Sequence, residues 1–516
     1  MAHKIREVYI VHHSHTDVGY TDLQEQVIYN QANNIRRAVE LIEEGLEKGT
    51  NQKNLKWNCE TWYCVEQFLK VATEEEKKTF FDLVKKNSIG LSANYLNFND
   101  LADCEYLTEK IHEMQEVCAE EGVTVKTAMF ADINGISMGQ RDAMLANGVE
   151  FLYTNIHTHH GMYPLYQNQK PYFWENEDGK RLLVWSGEHY NLGNALGIVF
   201  NKNVNFMTEN YFGKAQGDVA GPLEKLYSNL TASMEEYEEN GYPYDFYITS
   251  VSGVFSDNAP INPAIADTVA LFNEKYGEEV TMRMVTLQEL YDLIRDKVAD
   301  APVYRGAIND WWGNGVGSTP YAVKHYKEAV RLNRICDRLE EKTGVHNADL
   351  VKAYGDNSLL YAEHTWGHSA TVTNPYDTMV TNLDMRKNSY ASKAHEAAAM
   401  RKNEQCHLLG DILRYYNLSG KVKAVSTSHE KRIFPVEFYV ETMNLPAVKV
   451  TDDKTNEGME VQLSAHPRGV LVSFLAEFEP MEEKIFTYEE QPAPAHTVYQ
   501  NRMGRRRARA RYYQYL

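Results

Sequence analysis

Four side chains that can bind a metal follow the first apolar segment of the chain. They are His12, His13, His15 and Asp17, and the last three belong to the sequence HSHTDVGY. Imidazole and carboxylate groups both bind zinc, and residues i and i+2 of an extended segment point to the same side. The same residues could instead cap a strand end and hydrogen-bond locally. The segment by itself therefore leaves a metal site and a structural cap both open.

Two further candidates lie far along the chain. Asp132 follows another apolar run in MFADINGIS, where it could also cap a helix that begins near Ser137. His364 lies in LLYAEHTWGHS beside Trp366 and Gly367, and a lone histidine is more often a core residue than a ligand. Two histidines and two carboxylates together form a ligand set suited to a divalent metal that keeps open positions for a substrate.

The segments HSHTDVGY, ADINGIS and EHTWGH resemble the three metal-binding segments of glycoside hydrolase family 38, the class II α-mannosidases. The resemblance covers roughly residues 5 to 410 and is closest to a divergent bacterial type. It implies one zinc ion, or Co²⁺ or Mn²⁺ in its place, and Asp132 as the nucleophile as well as a ligand. Tyr20 stands where the family usually has tryptophan. The implied ligands are His15, Asp17, Asp132 and His364.

The remaining site residues follow from the same resemblance. A retaining glycosidase needs a second carboxyl group that stays protonated to release the leaving group. Asp257, in the loop SVSGVFSDNAPINP, resembles the family's acid/base segment, although it could also be a turn aspartate. Aromatic rings pack on the apolar faces of sugars. The candidate sugar-stacking residues are Tyr20, Trp62, Trp311 and Trp312.

Repeated strand and helix patterns must position these residues. In residues 1–300, apolar strand-like runs alternate with amphipathic helices, which predicts an α/β fold with an N-terminal parallel β/α barrel-like catalytic domain. In such folds ligands bind at the carboxyl ends of the strands. Thr73 and Glu76 predict a capping box at the start of one helix.

The predicted secondary structure changes twice in the rest of the chain. Residues 301–415 are largely helical, which predicts a helical bundle domain that contributes a metal ligand. Residues 416–516 contain alternating runs and turns, which predict a partial antiparallel β-sandwich domain with a basic tail. Family members usually continue further, so we expect only the start of this β domain, as in a chain truncated at its C-terminus.

Composition excludes several classes of function. The net charge of −19 disfavours nucleic acid as a partner, because phosphate binding needs clustered Lys and Arg. No apolar run approaches the ~18 residues of a membrane span, and the N-terminus lacks a secretory segment, so we expect a cytoplasmic protein that contacts no membrane. The six cysteines are sparse, as in a reduced protein. A homo-oligomer is compatible with these features.

Three functions fit the pattern. The first is a zinc-dependent retaining glycosidase that removes α-linked mannose from oligosaccharides, with the metal chelating the 2- and 3-hydroxyls of the sugar. The second is a metal-dependent carbohydrate deacetylase, in which the metal activates water. The third is an inactive, metal-stabilised glycan-binding protein. A rival metal site at His157, His159 and His160 lacks a carboxylate, so we interpret those histidines as pocket lining or surface.

Overall fold

The computed structural model describes residues 4–158, 161–199, 221–253, 257–310, 312–410, 419–440, 447–466 and 469–492. Contacts divide the chain into two compact units. The first comprises residues 1–327 and 353–394, and the second comprises residues 328–352 and 395–516. The domain boundaries predicted near residues 300 and 415 stay a prediction, because this division does not test which parts fold independently.

The first unit combines ten strands with helices in the described part of the chain. The strands are β1 (Glu7–His13), β2 (Trp57–Cys59), β3 (Ile89–Leu91), β4 (Thr127–Phe130), β5 (Phe151–Ile156), β6 (Lys170–Glu175), β7 (Arg181–His189), β8 (Phe246–Ser252), β9 (Thr281–Val285) and β10 (Val303–Tyr304). The helices up to residue 318 are α1 (Gln24–Lys48), α2 (Trp62–Val71), α3 (Glu74–Lys85), α4 (Cys104–Glu120), α5 (Met138–Ala146), α6 (Leu192–Leu196), α7 (Pro222–Glu239), α8 (Ile265–Tyr276), α9 (Leu287–Ile294) and α10 (Gly313–Ser318). Three longer helices follow, α11 (Pro320–Thr343), α12 (Ala348–Ala362) and α13 (Thr378–Leu409).

Parallel pairing dominates the sheets of the first unit. One sheet has the order β8-β1-β9, a second has the order β10-β6-β7-β5-β4, and β2 pairs with β3. All of these pairs are parallel except β6 with β7. A mixed α/β fold with parallel strands is therefore confirmed, whereas closure of these sheets into a barrel stays a prediction.

Apolar strands form the core of this unit. Tyr9 and Val11 of β1 pack in one buried cluster with Trp185 of β7 and Ile248 of β8. Strands covered on both faces carry continuous apolar runs, which explains why the sequence marks them clearly. Strand β6 begins Lys-Pro, and proline cannot donate to a neighbouring strand, so its pattern is less regular.

The predicted helix signals are also confirmed. Thr73 and Glu76 form the capping box at the start of α3. Gly49, with a φ of 66°, ends α1 in the left-handed conformation that glycine adopts readily. Ser137 caps α5, so the turn that follows Asp132 leads into a helix as expected.

Antiparallel strands build the second unit after residue 418. They are β11 (Gly420–Val425), β12 (Arg432–Val440), β13 (Val448–Asp452), β14 (Gly458–Met459), β15 (Val461–His466), β16 (Gly469–Phe478) and β17 (Glu483–Glu490). The sheets have the orders β11-β17-β13-β14 and β12-β16-β15, and a buried cluster that includes Val450, Val472 and Phe486 joins them. The predicted antiparallel region is confirmed.

Within the described residues, no helix combines the length and the apolar character needed to cross a lipid bilayer.

Candidate metal centre and active site

Three separate elements bring the predicted ligands together. His15 and Asp17 follow β1, Asp132 follows β4, and His364 follows α12, where its backbone N–H donates to Asn97 O at 2.8 Å. One donor atom from each of the four residues lies within 4.8 Å of all the others, and all four residues are buried. The structure thus brings together the four residues that the sequence analysis predicted as metal ligands.

Asp132 reaches this position through an uncommon backbone conformation. Its φ is 75°, and the Ile133 N–H donates to Ala131 O at 3.0 Å across it, as in a γ-turn. The His157 N–H donates to the carbonyl of Asp132 at 2.9 Å and helps to hold the turn. A non-glycine residue in this region costs on the order of 1–3 kcal/mol, and such strain is concentrated at functional sites.

The distances in the cluster suit a small divalent metal. Nε2 of His364 lies 3.2 Å from Asp17 Oδ1 and 3.1 Å from Asp132 Oδ2. Nε2 of His15 lies 3.5 Å from Asp17 Oδ1 and 3.8 Å from Asp132 Oδ2. Ligands about 2.0–2.1 Å from a tetrahedral zinc ion lie roughly 3.3 Å apart, which falls inside this range.

Two buried nitrogen atoms point to the same conclusion. Nε2 of His15 and Nε2 of His364 have no hydrogen-bond partner within the described residues, although both lie near the carboxylates of Asp17 and Asp132. Buried polar atoms normally have a partner, so orphaned atoms that face one another call for an explanation. The imidazole and carboxylate donors fit a zinc-like cation, and such a cation would occupy the gap that they share.

The four residues also shift one another's protonation. Burial opposes charge, but Glu60 and Asp17 outweigh it and hold the pKa of His15 well above its usual value. Glu363 together with the two aspartates acts likewise on the pKa of His364. Burial would raise the pKa of each aspartate, but the two histidines lower it. The metal-free cluster therefore holds protons on its histidines and charge on its carboxylates.

Glu60, just after β2, supports His15 from behind. Its Oε1 accepts from His15 Nδ1 at 3.0 Å, from the Thr16 N–H at 3.1 Å and from Asn97 Nδ2 at 2.7 Å. Its Oε2 lies 2.5 Å from Nδ1 of His13. With Nδ1 occupied in this way, His15 presents Nε2 to the cluster.

Glu363 occupies the corresponding position behind His364. Its Oε1 lies 2.9 Å from Nδ1 of His364, in an ion-pair contact that lacks the alignment of a hydrogen bond. Its Oε2 contacts Nζ of Lys387 at 3.1 Å, and Thr365 Oγ1 donates to Oε1 at 2.6 Å. Lys387 also lies 4.2 Å from the centre of the Trp366 ring. The second histidine is therefore backed by a buried, charge-paired carboxylate.

Asp257 lies beside the cluster and differs from its carboxylates. Burial, followed by the charges of Asp17 and Asp132, raises the pKa of Asp257 to about 7, while His15 and a hydrogen bond from Tyr190 oppose the rise. The ring of Tyr190 also lies 4.6 Å from that of His15. One carboxyl group that is protonated near neutrality thus adjoins two that are ionised, which is the pairing that acid-catalysed glycoside cleavage requires.

The predicted sugar-stacking residues have different positions. Trp312 lies over the cluster, with its ring 5.7 Å from that of His364 and its Nε1 donating to His364 O at 2.9 Å. Tyr20 has a φ of 58° and a ring 5.9 Å from that of His368. Burial, then Asp17 and Asp257, raises the pKa of Tyr20, so its hydroxyl lies near these carboxylates.

Neither Trp62 nor Trp311 is placed at the cluster by the described contacts. Trp62 begins α2 and lines a cavity of about 520 Å³ with Glu66, Lys70 and Lys110. Among the described contacts, no ring packing or hydrogen bond joins Trp62 to the four ligands. Trp311 lies outside the described residues. Sugar stacking by either residue stays a prediction.

The rival histidine cluster is described only at His157. Its ring lies 5.1 Å from that of His189 and 6.3 Å from that of Trp312, which in turn contacts His364. His159 and His160 lie outside the described residues. The interpretation of these histidines as pocket lining or surface stays a prediction.

Sequence reasoning missed the residues behind the ligands. They are Glu60, Glu363, Lys387 and Tyr190. Glu363 directly precedes His364, and this adjacency was a usable signal. Glu60 and Tyr190 are distant from the ligands in sequence and sit in unremarkable local patterns, so only the fold reveals their role.

Comparisons with known proteins agree with this geometry. The profile of the glycosyl hydrolases family 38 N-terminal domain matches residues 6–307, and the chain belongs to this family. A search of curated proteins finds no match.

Two solved structures share the fold. An α-mannosidase from Enterococcus faecalis V583 matches with a TM-score of 0.62 at 15% identity, over 95% of this chain and 57% of that one. A family 38 protein from Enterococcus faecalis matches with a TM-score of 0.57 at 12% identity, over 96% of this chain and 55% of that one. The chain thus spans little more than half the length of these structures.

Proposed function

We propose that the protein is a zinc-dependent retaining α-mannosidase, acting on the non-reducing ends of mannose-containing oligosaccharides. The observation that carries this proposal is the buried group of two histidines and two aspartates, in which Asp132 Oδ2 faces the histidines while Asp132 Oδ1 has no hydrogen-bond partner in the described part of the chain. One oxygen is thus available as a ligand and the other as a nucleophile. Membership of family 38 and an α-mannosidase among the structural neighbours support the choice of sugar.

The ligand residues serve substrate binding. A cation held by His15, Asp17, Asp132 and His364 would supply a Lewis-acidic anchor for the axial 2-hydroxyl and equatorial 3-hydroxyl of mannose. Trp312 packs against His364 and offers its ring to an apolar face of the sugar. The sugar ring is thereby held with its anomeric carbon toward Asp132.

Two carboxyl groups carry the chemistry. Asp257 gives its proton to the glycosidic oxygen as that bond breaks, while Asp132 Oδ1 forms a bond to the anomeric carbon. Asp257 then accepts a proton from the water that releases the sugar, so that both groups return to their starting states. A pKa of about 7 lets Asp257 serve in both directions near neutrality.

Metal analysis and a glycoside assay test this function. Purified protein is assayed for bound metal by mass spectrometry and for release of p-nitrophenol from the α-mannoside, before and after chelation and repletion with Zn²⁺, Co²⁺ or Mn²⁺. We expect one metal per chain and chelator-sensitive hydrolysis, with the β-mannoside as the matched control. Metal without hydrolysis would contradict the enzymatic proposal, and no metal would contradict the centre itself.

A covalent trap separates retaining cleavage from metal-activated hydrolysis. A 5-fluoro-α-mannosyl fluoride should leave a sugar attached to the peptide that contains Asp132, detectable by mass spectrometry. The Asp132→Asn variant is the control and should remain unlabelled. A turnover-competent protein that is never labelled would argue for a metal-activated water. The cytoplasmic location and the homo-oligomer stay predictions.

A further inference from the structure

The carboxylate of Glu60 is deeply buried, and neighbouring groups hydrogen-bond or contact both of its oxygens. It is 3% exposed, and both of its oxygens are used. Oε1 accepts from His15, Thr16 and Asn97, and Oε2 contacts Nδ1 of His13. A buried carboxylate is costly unless it is fully hydrogen-bonded, so such a group persists where its contacts are needed together.

The contact to His15 determines which ring nitrogen faces the cluster. A carboxylate accepts hydrogen bonds, so the proton of neutral His15 belongs on Nδ1, 3.0 Å from Glu60 Oε1. In that neutral form, which metal binding requires, Nε2 carries the lone pair on the side that faces Asp17 and Asp132. An imidazole without such a partner can place its proton on either nitrogen and can rotate about its side-chain bonds.

The contact to His13 extends the same support toward Asp257. Nε2 of His13 lies 3.0 Å from the carbonyl oxygen of Tyr190, which can only accept, so this nitrogen carries a proton. Nδ1 of His13 lies against Glu60 Oε2. Tyr190 in turn hydrogen-bonds Asp257 and packs on His15. A single carboxylate therefore fixes one metal ligand and the backbone of the residue that holds the acid.

We propose that Glu60 is a positioning residue of the metal centre, which fixes the tautomer and orientation of His15 directly and supports Tyr190 through His13. This inference rests on the proposed metal-binding function. It concerns residues behind the ligands, and it is measured by metal binding rather than by turnover.

Zinc affinity of the full chain tests this role. Metal-free wild type and Glu60→Gln are titrated with Zn²⁺ against a competing chelator, and the visible absorption of the Co²⁺-loaded proteins is compared. The amide keeps the size of the side chain but cannot accept at both positions. We expect Zn²⁺ to bind about 10–100-fold more weakly to the variant. The cobalt spectrum should also change, because the geometry of His15 is no longer fixed.

Glu188→Gln is the matched control. Glu188 is also buried, and it accepts from Tyr237, from Tyr247 at 2.6 Å and from Gln169 at 3.4 Å. The same substitution there removes the same charge from a similar network, and none of these three donors is a ligand residue. We expect its zinc affinity and cobalt spectrum to match those of the wild type.

The outcomes separate this inference from the function on which it rests. Wild type that binds no Zn²⁺ would overturn the metal centre and the role of Glu60 together. Wild type that binds Zn²⁺ while Glu60→Gln binds it equally well, with an unchanged cobalt spectrum, would overturn the role of Glu60 alone. If Glu60→Gln does not fold, Glu60→Asp is used instead. This variant keeps the buried carboxylate, but its side chain is one methylene group shorter, so the carboxylate lies farther from His15. Its zinc affinity should also fall, and an unchanged affinity would overturn the inference.

Discussion

The hydroxyl group of Tyr190 donates a hydrogen bond to the carboxyl group of Asp257. A donor to a carboxylate favours its ionised form, so this bond limits how far burial and the neighbouring aspartates raise the pKa of Asp257. The proposed acid is thus hydrogen-bonded to a phenol whose ring also packs on that of His15, a proposed metal ligand.

Removing this donor should move the pH dependence of catalysis. We expect kcat/KM to fall as pH rises through the pKa of Asp257, because the acid must be protonated. Tyr190→Phe should shift that fall to higher pH, since the pKa of Asp257 rises when the hydrogen bond is lost. The pH profiles of the two proteins measure the shift. Tyr291→Phe is the control, because it also removes a tyrosine hydroxyl that donates to a carboxylate, that of Glu150 at 2.9 Å, and it should leave the pH profile unchanged. A pH profile that is also unchanged in Tyr190→Phe would contradict the role of Asp257 as the acid.

The backbone at Asp132 should reveal its strain in a pair of variants. Asp132→Ala and Asp132→Gly both remove the carboxylate and both should abolish activity. Glycine adopts a φ of 75° without steric strain, whereas alanine is strained there. The free energy of unfolding of the glycine variant should therefore be higher by about 1 kcal/mol. Urea denaturation of the metal-free proteins measures the difference. Equal stability of the two variants would show that the turn relaxes once the carboxylate is gone.

Metal binding should release protons. The raised pKa values of His15 and His364 mean that the metal-free protein holds both imidazoles protonated near neutrality. Zinc must displace these protons, so its affinity should rise with pH, with about two protons released per ion near pH 7. Calorimetric titration in buffers of different ionisation enthalpy counts them. Binding that releases no proton would contradict the charge state described above.

The same groups make the stability of the metal-free protein depend on pH. Their pKa is higher in the folded than in the unfolded chain, where it is near 6.5. Their contribution is therefore complete below about pH 6.5 and is lost as pH rises through the folded pKa. Thermal unfolding with and without zinc should show this loss only in the metal-free sample.

Lys387 should matter more than an equally buried lysine elsewhere. Its Nζ donates to Glu363 O at 2.7 Å and contacts Glu363 Oε2, so Lys387→Met leaves that buried carboxylate without its lysine partner. Breaking such a pair costs about 3–5 kcal/mol. Lys110 pairs with Glu66 and Glu113, whose side chains are 21% and 57% exposed and can be hydrated, so Lys110→Met should cost less. Chemical denaturation compares them, and equal losses would contradict a special role for Lys387.

The sequence pointed to the four residues that the structure groups together, but not to the residues that support them, for a physical reason. His15 and Asp17 follow the seven-residue strand β1, Asp132 follows the apolar four-residue strand β4, and these segments carry a family resemblance, so both pattern and motif indicated them. Glu60 follows the three-residue strand β2 and meets His15 across 45 positions of sequence. No local period encodes a contact of that kind, because it depends on how strands are ordered in the fold.

The two histidines of the centre have a consequence for biosynthesis. His15 and His364 lie 349 positions apart in the chain, since 364 minus 15 is 349. At about 5–20 residues per second, a ribosome needs roughly 20–70 s to make the intervening chain. During that interval the nascent protein offers a metal at most three of its four ligands. The complete set of proposed metal ligands is therefore available only after His364 has been synthesised.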